Sequence, residues 1–456
     1  MLQHALSLLV ILICAAVFLW PEAARADNPI IQTSYTADPA PMVWNDTLYI
    51  YTSHDLEGST WFTMPDWRCY ATTDMVNYTD LGPVMSATDF AWGEVNTAWA
   101  AQCIERNGKF YLYVTVTRAA GGGRCIGVAV ADNPAGPFVD ALGKPLCGPN
   151  WDYIDPTVFI DDDGQAYLYF GNPQLYFVKL NEDMISYSGR ITKIPMTTEA
   201  FGTRPGGDER HQTLYEEGPW FCKRSDTYYM LYAASGVPEN ICYSTSSGPT
   251  GRYTFQGVIM PTEGGSFTNH CGVMDYKGHS YFFYHNGQLP GGGGFTRSVC
   301  VEEFTYGADG SIPTMHMTRQ GPAQLEWLNP YRRVEAETIC WSQGVRSEPC
   351  EAGGMNIGYI TDGSYIKVAG VDFASGAASF TAGVASATQG GTIELHLDSV
   401  DGPVIGECPI SPTGGWQTWQ QASCSISGAE DVRDLYLVLR GGEGYLFNLD
   451  WWQFAE

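Results

Sequence analysis

The stretch DPAPMVWNDTLYIY, residues 38–51, joins an apolar strand to an aromatic strand through a polar turn at Asn45-Asp46. Side chains alternate across a strand, so aromatic residues from one face can pack on a neighbouring sheet. The same design returns at residues 100–114, 155–169, 217–232 and 271–284. We therefore interpret residues 38–51 as part of one unit in a repeated β-structure.

The five units recur at a nearly constant spacing. Their corresponding tyrosines are 62, 56, 62 and 52 residues apart, and they are Tyr49, Tyr111, Tyr167, Tyr229 and Tyr281. Such a period holds about four short strands, which suits radially repeated sheets. We predict an all-β chain whose first domain is a five-bladed β-propeller. A β-sandwich built from similar hairpins is the alternative.

The repeat stops near Gln320-Gly321-Pro322, and a different pattern begins at Tyr331. Short alternating strands fill residues 331–456 without helix signals, which is typical of a jelly-roll β-sandwich. The predicted domains are the propeller at 27–322 and the sandwich at 331–456.

Residues 1–26 are predicted to be a secretory signal. The apolar run Leu6–Trp20 is followed by the small-residue site Ala24-Arg25-Ala26, so the mature, extracellular chain would begin at Asp27. The alternative is a membrane anchor, but a run of about 15 residues is shorter than the ~20 needed to span a bilayer.

The composition excludes several functional classes. The 456 residues include 24 Lys and Arg against 50 Asp and Glu, a net charge of −26. Nucleic acids and anionic membranes would be repelled, so we expect neither as a partner. Aromatic residues make up 13% and charged residues only 16%, which excludes a disordered chain. We expect a monomer.

Twelve of the 13 cysteines follow the predicted signal, and they lack the C-x-x-C spacing of zinc sites. In an oxidising compartment they are expected to pair as disulfides. The sequence proves no connectivity, and the plausible pairs are Cys340–Cys350, Cys408–Cys424, Cys103–Cys125 and Cys222–Cys242.

Three acidic residues open innermost strands in similar phrases: Asp38 and Asp155 precede Pro, and Glu217 precedes Gly-Pro. Innermost strands line the central tunnel, so we expect these carboxyls to converge there. Clustering raises the pKa of one carboxyl and leaves another ionised, and glycoside hydrolysis needs such an acid and base. Trp99, at a blade entrance, is a candidate for stacking on a sugar ring, although core packing explains it equally well.

These three phrases, on this repeat, resemble glycoside hydrolase family 43 from about residue 28 to 320. The resemblance implies an inverting hydrolase with Asp38 as general base, Glu217 as general acid and Asp155 as the carboxylate that orients the acid. We prefer Glu217 to Glu216 because adjacent strand residues point to opposite faces. His270 would lie near a water or a calcium ion under the active centre.

Arg297, in the phrase GFTRS, resembles an active-site arginine of arabinofuranosidases in that family. The alternative is a surface arginine after the flexible run Gly291–Gly294.

Residues 331–456 resemble carbohydrate-binding module family 6, through the phrases RVEAE, GYITDGSY, GGWQTW and FNLDWW. The resemblance implies that Tyr359 and Trp416 sandwich a sugar ring and that Asn448 hydrogen-bonds it. A structural calcium ion would be held by Glu335, Glu337 and Asp450, since carboxylate oxygens suit that ion. Ser364-Tyr365 departs from the usual Asp-Trp of the family.

The combination of domains implies an α-L-arabinofuranosidase that removes arabinose side groups from arabinoxylan in the plant cell wall. A β-xylosidase or an arabinan-directed exo-hydrolase would use the same carboxyls. A non-catalytic polysaccharide-binding protein is the alternative from a different class.

Overall fold

The computed structural model describes residues 24–456, and strands supply nearly all of its regular structure. The predicted signal peptide lies outside the described residues, except for Ala24-Arg25-Ala26, of which Arg25 and Ala26 belong to strand β1. Nowhere in residues 24–456 is a helix long and apolar enough to cross a membrane. The all-β prediction is confirmed.

Many strands of the first domain are buried along most of their length, as strands covered on both faces by neighbouring sheets are. In chain order, the elements are β1 (Arg25–Asp27), β2 (Tyr35–Trp44), β3 (Thr47–Asp55), β4 (Asp66–Thr72), β5 (Tyr78–Ser86), the 3₁₀ helix η1 (Ala87–Asp89), β6 (Trp99–Arg106), β7 (Lys109–Thr117), β8 (Arg124–Ala131), β9 (Val139–Asp140), β10 (Cys147–Asn150), β11 (Thr157–Ile160), β12 (Ala166–Phe170), β13 (Tyr176–Leu180), β14 (Tyr187–Lys193), α1 (Thr198–Phe201), β15 (Tyr215–Arg224), β16 (Thr227–Ala234), β17 (Asn240–Ser246), β18 (Thr254–Met260), β19 (Gly272–Tyr276), β20 (His279–Asn286), β21 (Ser298–Phe304) and β22 (Gln320–Ala323).

Strands pair antiparallel into five sheets within residues 35–304: β2 to β5, β6 to β10 (where β9 and β10 both pair with β8), β11 to β14, β15 to β18 and β19 to β21. The first strand of each sheet contacts the first strand of the next, and β19 returns to contact β2. This cyclic order is that of a β-propeller, in which neighbouring sheets bury each other's faces. Strand β1 pairs with β22, joining the two ends of the domain.

The second domain is a β-sandwich. Its strands are β23 (Val334–Glu335), β24 (Thr338–Ile339), β25 (Trp341–Gln343), β26 (Arg346–Pro349), β27 (Met355–Gly358), β28 (Tyr365–Asp372), β29 (Ser379–Ala385), β30 (Gly391–Leu397), β31 (Val404–Ile410), β32 (Gln420–Ser425), β33 (Val432–Arg440) and β34 (Asn448–Ala455). One sheet has the order β26-β27-β34-β29-β32 with β23 beside β34, and the other has the order β25-β28-β33-β30-β31. Buried side chains such as Phe380, Leu437 and Trp452 fill the space between them.

The two domains share hydrogen bonds, which fixes how they sit together. Strand β24 pairs with β5 and so extends the first propeller sheet. The buried Asn77 amide donates to the Ala369 carbonyl at 2.9 Å and accepts from the Ala369 N–H at 2.9 Å. Lys367 lies 3.1 Å from the Asp27 carboxylate. Buried polar contacts of this kind are costly to break, so the domains form one body.

No disulfide joins any of the twelve cysteines in the described residues, and two of the predicted pairs are too far apart to form one. Cys103 lies in β6 and Cys125 in β8, with β7 between them, and β16 likewise separates Cys222 from Cys242. Alternate strands of a sheet are about 9.5 Å apart, too far for a disulfide.

The other two predicted pairs differ in their surroundings. Cys408 and Cys424, on β31 and β32, have side chains in hydrogen-bond contact, so this pairing stays a prediction. In the other predicted pair, the two cysteines have different neighbours. Cys340 Sγ lies 3.9 Å from the Arg25 carbonyl, and Cys350 lies beside Asp450.

Candidate active site

Each of the three acidic phrases contains a residue with positive φ directly before its proline. Asp38 has φ 54°, Asp155 has φ 57° and Gly218 has φ 56°. Left-handed backbone is uncommon outside glycine and tends to occur at functional sites. The phrase thus imposes one local conformation at the start of three innermost strands.

The three carboxyls do not all stand at the left-handed position of the phrase. Asp38 and Asp155 themselves take the left-handed position, whereas Glu217 precedes Gly218, which takes it. Register shifts flank Glu217 between Tyr215 and Trp220 in β15, and another lies between Ala37 and Ala40 in β2. Bulges of this kind redirect side chains. The longer glutamate therefore approaches the centre from an offset backbone position.

Asp38 is buried among hydrogen-bond donors. Its Oδ1 accepts from Arg297 Nη1 at 3.1 Å and its Oδ2 accepts from the Ser53 hydroxyl at 2.9 Å. Burial raises the pKa of Asp38, but the Arg297 guanidinium above all, with His270 and the Ser53 hydrogen bond, outweighs burial and lowers that pKa below its ordinary value. Asp38 is therefore the carboxylate that stays ionised.

Arg297 is held by a second acidic residue. Its Nε and Nη2 donate to the two carboxylate oxygens of Asp55 at 2.9 and 3.0 Å, and its backbone N–H donates to Asp55 Oδ2 at 2.8 Å. A bidentate pair fixes the plane of the guanidinium. Arg297 is 3% exposed, so the alternative of a surface arginine is wrong.

Asp155 and Glu217 have pKa values shifted in the opposite direction. Burial and the neighbouring Glu217 and Asp38 carboxylates raise the pKa of Asp155 well above its ordinary range. Burial, followed by Glu216 and Asp38, also raises the pKa of Glu217, although a hydrogen bond from the Asn172 amide opposes the shift. Gly218 N–H donates to Asp155 Oδ2 at 3.0 Å, so Asp155 holds the backbone next to Glu217.

Asp38, Asp155 and Glu217 lie close enough to shift one another's pKa values. The structure therefore places them in one site, as the sequence predicted. Glu216 instead forms an ion pair with Arg204. The site thus combines one carboxylate whose pKa is lowered with two carboxyls whose pKa values are raised, and a base and an acid of general acid–base chemistry need such opposite shifts.

Two histidines lie beneath the base. His270 Nδ1 is 3.8 Å from Asp38 Oδ1, and its ring packs on Gly218. The fully buried His285 accepts from the Asp38 N–H through Nδ1 at 3.2 Å, so its Nε2–H donates to the Thr268 carbonyl at 3.0 Å. Burial and then Arg297 lower the pKa of His285 to about 3, so its ring is neutral.

Sequence reasoning missed several supporting residues: Ser53, Asp55, Asn172, Glu239 and His285. Glu239 is 2% exposed and accepts from the Asn269 N–H at 2.7 Å. Burial and Glu217 raise the pKa of Glu239 well above its ordinary range. These residues lie outside the repeated phrase, so their sequence carries no signal that distinguishes them from surface polar residues.

Trp99 is half-buried, and the Arg124 guanidinium lies 4.8 Å from the centre of its ring. Arg124 in turn lowers the pKa of both Asp155 and Glu217, although larger effects leave both pKa values raised. Trp99 therefore stands near the carboxyls, with Phe62 packed beside it at 6.5 Å.

The comparisons with known proteins agree with this geometry. Residues 26–312 match the model for glycosyl hydrolases family 43, and residues 335–456 match the model for carbohydrate binding module (family 6). The chain belongs to glycoside hydrolase family 43. It is therefore a glycoside hydrolase with a C-terminal family 6 module.

Relatives of this family 43 protein include an arabinoxylan arabinofuranohydrolase of Bacillus subtilis, 34% identical, covering 94% of this chain and 92% of that protein. A crystal structure of such an enzyme from B. subtilis, in complex with cellotetraose, superposes with a TM-score of 0.80 at 32% identity, covering 94% of this chain and 97% of that one. A xylosidase/arabinosidase of Bacteroides ovatus is 31% identical, covering 63% of this chain and 96% of that protein.

The predicted sugar-binding residues of the family 6 module lie on neighbouring segments. Asn448 Nδ2 donates to the Trp416 carbonyl at 3.0 Å and to Glu348 Oε1 at 2.7 Å. Tyr359 is 47% exposed, and its ring packs edge-on against Tyr445 at 5.6 Å. The roles of Tyr359, Trp416 and Asn448 stay predictions.

The predicted calcium ligands of the module carry unpaired oxygens. Glu337 Oε2 and Asp450 Oδ1 are buried without a hydrogen-bond partner, and Arg333 pairs with Glu335 at 2.7 Å and with Asp450 at 3.3 Å. Within residues 24–456, no group of three or more His, Cys, Asp or Glu side chains stands close enough to hold a metal ion as it is. The two free carboxylate oxygens nevertheless fit calcium in their donor chemistry.

Proposed function

We propose that this chain is a secreted α-L-arabinofuranosidase that removes arabinose side groups from arabinoxylan with inversion at the anomeric carbon. The proposal is carried by one observation: in a single buried site, the pKa of Asp38 is lowered and the pKa of Glu217 is raised. Asp38 is held ionised, whereas Glu217 is favoured in its protonated form. An inverting glycosidase needs both states at once.

In this mechanism the Glu217 carboxyl gives its proton to the glycosidic oxygen as the bond from that oxygen to the anomeric carbon breaks. Asp38 accepts a proton from a water molecule, whose oxygen attacks the anomeric carbon from the opposite face. Asp155 orients the acid through the Gly218 N–H, and Arg297 keeps Asp38 in place. Trp99 and Arg297 would line the substrate pocket.

The arabinose assignment is supported by the full-length relatives, whose names specify arabinoxylan. The test is incubation of the protein with wheat arabinoxylan, with proton NMR following the first product. We expect arabinose released in the inverted anomeric form. The variant Glu217→Gln should lose about 10²–10⁴-fold in kcat, whereas the matched neighbour Glu216→Gln keeps most activity. Equal loss in both variants would overturn the assignment of the acid.

β-Xylosidase activity is the second candidate, because relatives covering the propeller are named xylosidase/arabinosidase or β-xylosidase. Arabino-xylo-oligosaccharides separate the two activities, since an arabinofuranosidase leaves the xylose chain intact. Release of xylose as the first product would favour the xylosidase. Debranched arabinan tests the arabinan-directed alternative.

We further propose that the protein is exported and that calcium stabilises the family 6 module through Glu335, Glu337 and Asp450. Export is supported by the apolar run and the Ala24-Arg25-Ala26 site. N-terminal sequencing of the protein from culture medium tests it, with Asp27 as the expected first residue. A second ion near His270 is expected from the resemblance alone.

A further inference from the structure

A groove separates the propeller from the family 6 module on one side of the molecule. It has a volume of about 1020 Å³, at the upper end of the ~300–1,000 Å³ typical of small-molecule sites. We call it the interdomain groove. Its walls are segments 32–35 and 289–290 of the propeller, segment 341–347 of the module, and the rings of Tyr359 and Tyr445.

Exposed aromatic rings line the module wall of the interdomain groove. Tyr359 and Tyr445 are 47% and 52% exposed, and their rings meet at an angle of 86°. Rings left in water at such a wall present apolar faces to a ligand, while their hydroxyls stay polar. Trp341 adds a third ring. Aromatic faces next to polar side chains suit an uncharged sugar chain, which has apolar C–H faces and hydroxyl edges.

The interdomain groove lies beside the catalytic carboxyls. Tyr35 pairs with Asp55 across strands β2 and β3, and both line the groove. Asp55 binds Arg297, which binds Asp38. One layer of side chains thus separates the groove from the base, and a polymer held at the active site could continue into the groove.

A single loop borders both the groove and the active site. Pro290 in this loop accepts a hydrogen bond from the Tyr35 hydroxyl at 2.6 Å, at the groove wall. A few residues on, Phe295 packs against Phe62 at 4.9 Å, and Phe62 stacks beneath the Arg297 guanidinium. This loop therefore contributes residues both to the groove wall and to the packing around Arg297.

The groove also has a fixed width, because its walls are tied together. Arg346 of the module forms an ion pair with Glu57 of the propeller, and its guanidinium lies 5.8 Å from the centre of the Tyr359 ring. The pairing of β24 with β5 anchors the domains behind it. A preformed groove costs less ordering free energy on binding than two mobile domains would.

We propose that the interdomain groove binds a stretch of the uncharged polysaccharide main chain, outside the pocket that holds the sugar being cleaved. This rests on the proposed function, because the substrate there is a polymer. The groove differs from the site expected on the module, since Trp416 and Asn448 lie outside it and only Tyr359 is shared. Both domains then form one extended binding surface.

The test is calorimetric titration of linear xylohexaose into the full chain carrying Glu217→Ala, which prevents turnover. Tyr445→Ala removes an exposed ring, and Thr33→Trp fills the groove from the propeller wall. We expect each change to weaken binding roughly tenfold, the equivalent of about 1.4 kcal/mol. Trp327→Ala removes another exposed ring outside the groove and should leave the affinity unchanged.

The same variants are then measured with Trp416→Ala added, which disables the site expected on the module. Weaker binding in both backgrounds supports the proposal. Unchanged affinity in both variants, or a change that needs Trp416, overturns it. Failure of the proposed function is seen separately, as absence of pentose release from arabinoxylan by the wild type while the groove variants still bind more weakly. Melting temperatures show that each variant is folded.

Discussion

Arg297 Nη1 lies 3.1 Å from Asp38 Oδ1, while the rest of the same guanidinium is held by the carboxylate of Asp55. The base is therefore positioned by a side chain that cannot rotate without breaking a bidentate ion pair. The arrangement favours ionised Asp38 in a buried site, where desolvation alone would raise its pKa.

Arg297→Lys should test this positioning. Lysine keeps the charge but lacks the planar fork that joins Asp38 to Asp55. We expect kcat/KM to fall at least about 10²-fold and the acidic limb of its pH profile to move to higher pH. The matched control is Arg433→Lys, which alters an exposed bidentate pair with Asp398 in the module. An unmoved acidic limb would show that Arg297 does not set the pKa of the base.

The alkaline limb should respond to Asn172. The Asn172 amide donates to Glu217 and lowers its pKa, in opposition to the larger effect of burial. Removing the donor in Asn172→Ala should raise the pKa of the acid further, so activity should persist to higher pH than in the wild type. A pH profile of kcat/KM measures this. Asn181→Ala, in another hydrogen-bonded loop, should leave the profile unchanged.

Replacing Asp155 should lower activity and raise the stability of the folded chain. Its pKa is raised by burial and by Glu217, so the folded chain keeps a proton that the unfolded chain releases above about pH 4. Stability therefore falls as pH rises through this window. Asp155→Asn should lose most activity yet raise the free energy of unfolding at pH 7 by an amount on the order of 1 kcal/mol.

Thermal unfolding at pH 4 and pH 7 provides the check on Asp155. The stabilisation should shrink at pH 4, where the unfolded chain also begins to bind this proton. Asp226→Asn, at an exposed turn, serves as the control. A variant that is no more stable at pH 7 than at pH 4 would contradict the assigned direction of the shift.

Calcium should stabilise the module. Binding at 100 times its Kd would add about 2.7 kcal/mol to the free energy of unfolding, so chelation with EGTA should lower the melting temperature. Glu337→Gln should abolish the calcium-dependent difference, because it neutralises a carboxylate whose Oε2 has no other partner. Glu430→Gln, on the module surface, should keep it. A calcium response that survives in Glu337→Gln would exclude this site.

The local sequence was sufficient to predict the repeat and to identify the three acidic phrases. The alternation of side chains and the spacing of 52 to 62 residues are both patterns along the sequence. They can therefore be recognised without the structure. The strands at Tyr35–Trp44 and Tyr215–Arg224 lie where the phrases predict them. The family resemblance rested on the same phrases.

Only the tertiary structure decided which side chains meet. Asp55 and Arg297 are 242 residues apart, and neither belongs to the phrase that carries the carboxyls. Two of the four predicted cysteine pairs failed for the same reason, since Cys103 and Cys125, like Cys222 and Cys242, are close in sequence but a strand lies between them. Contacts between distant segments depend on the closure of the ring of sheets and on the docking of the module. Sequence alone determined the propeller and its three acids, and the packing of sheets against one another decided their pKa values and created the groove.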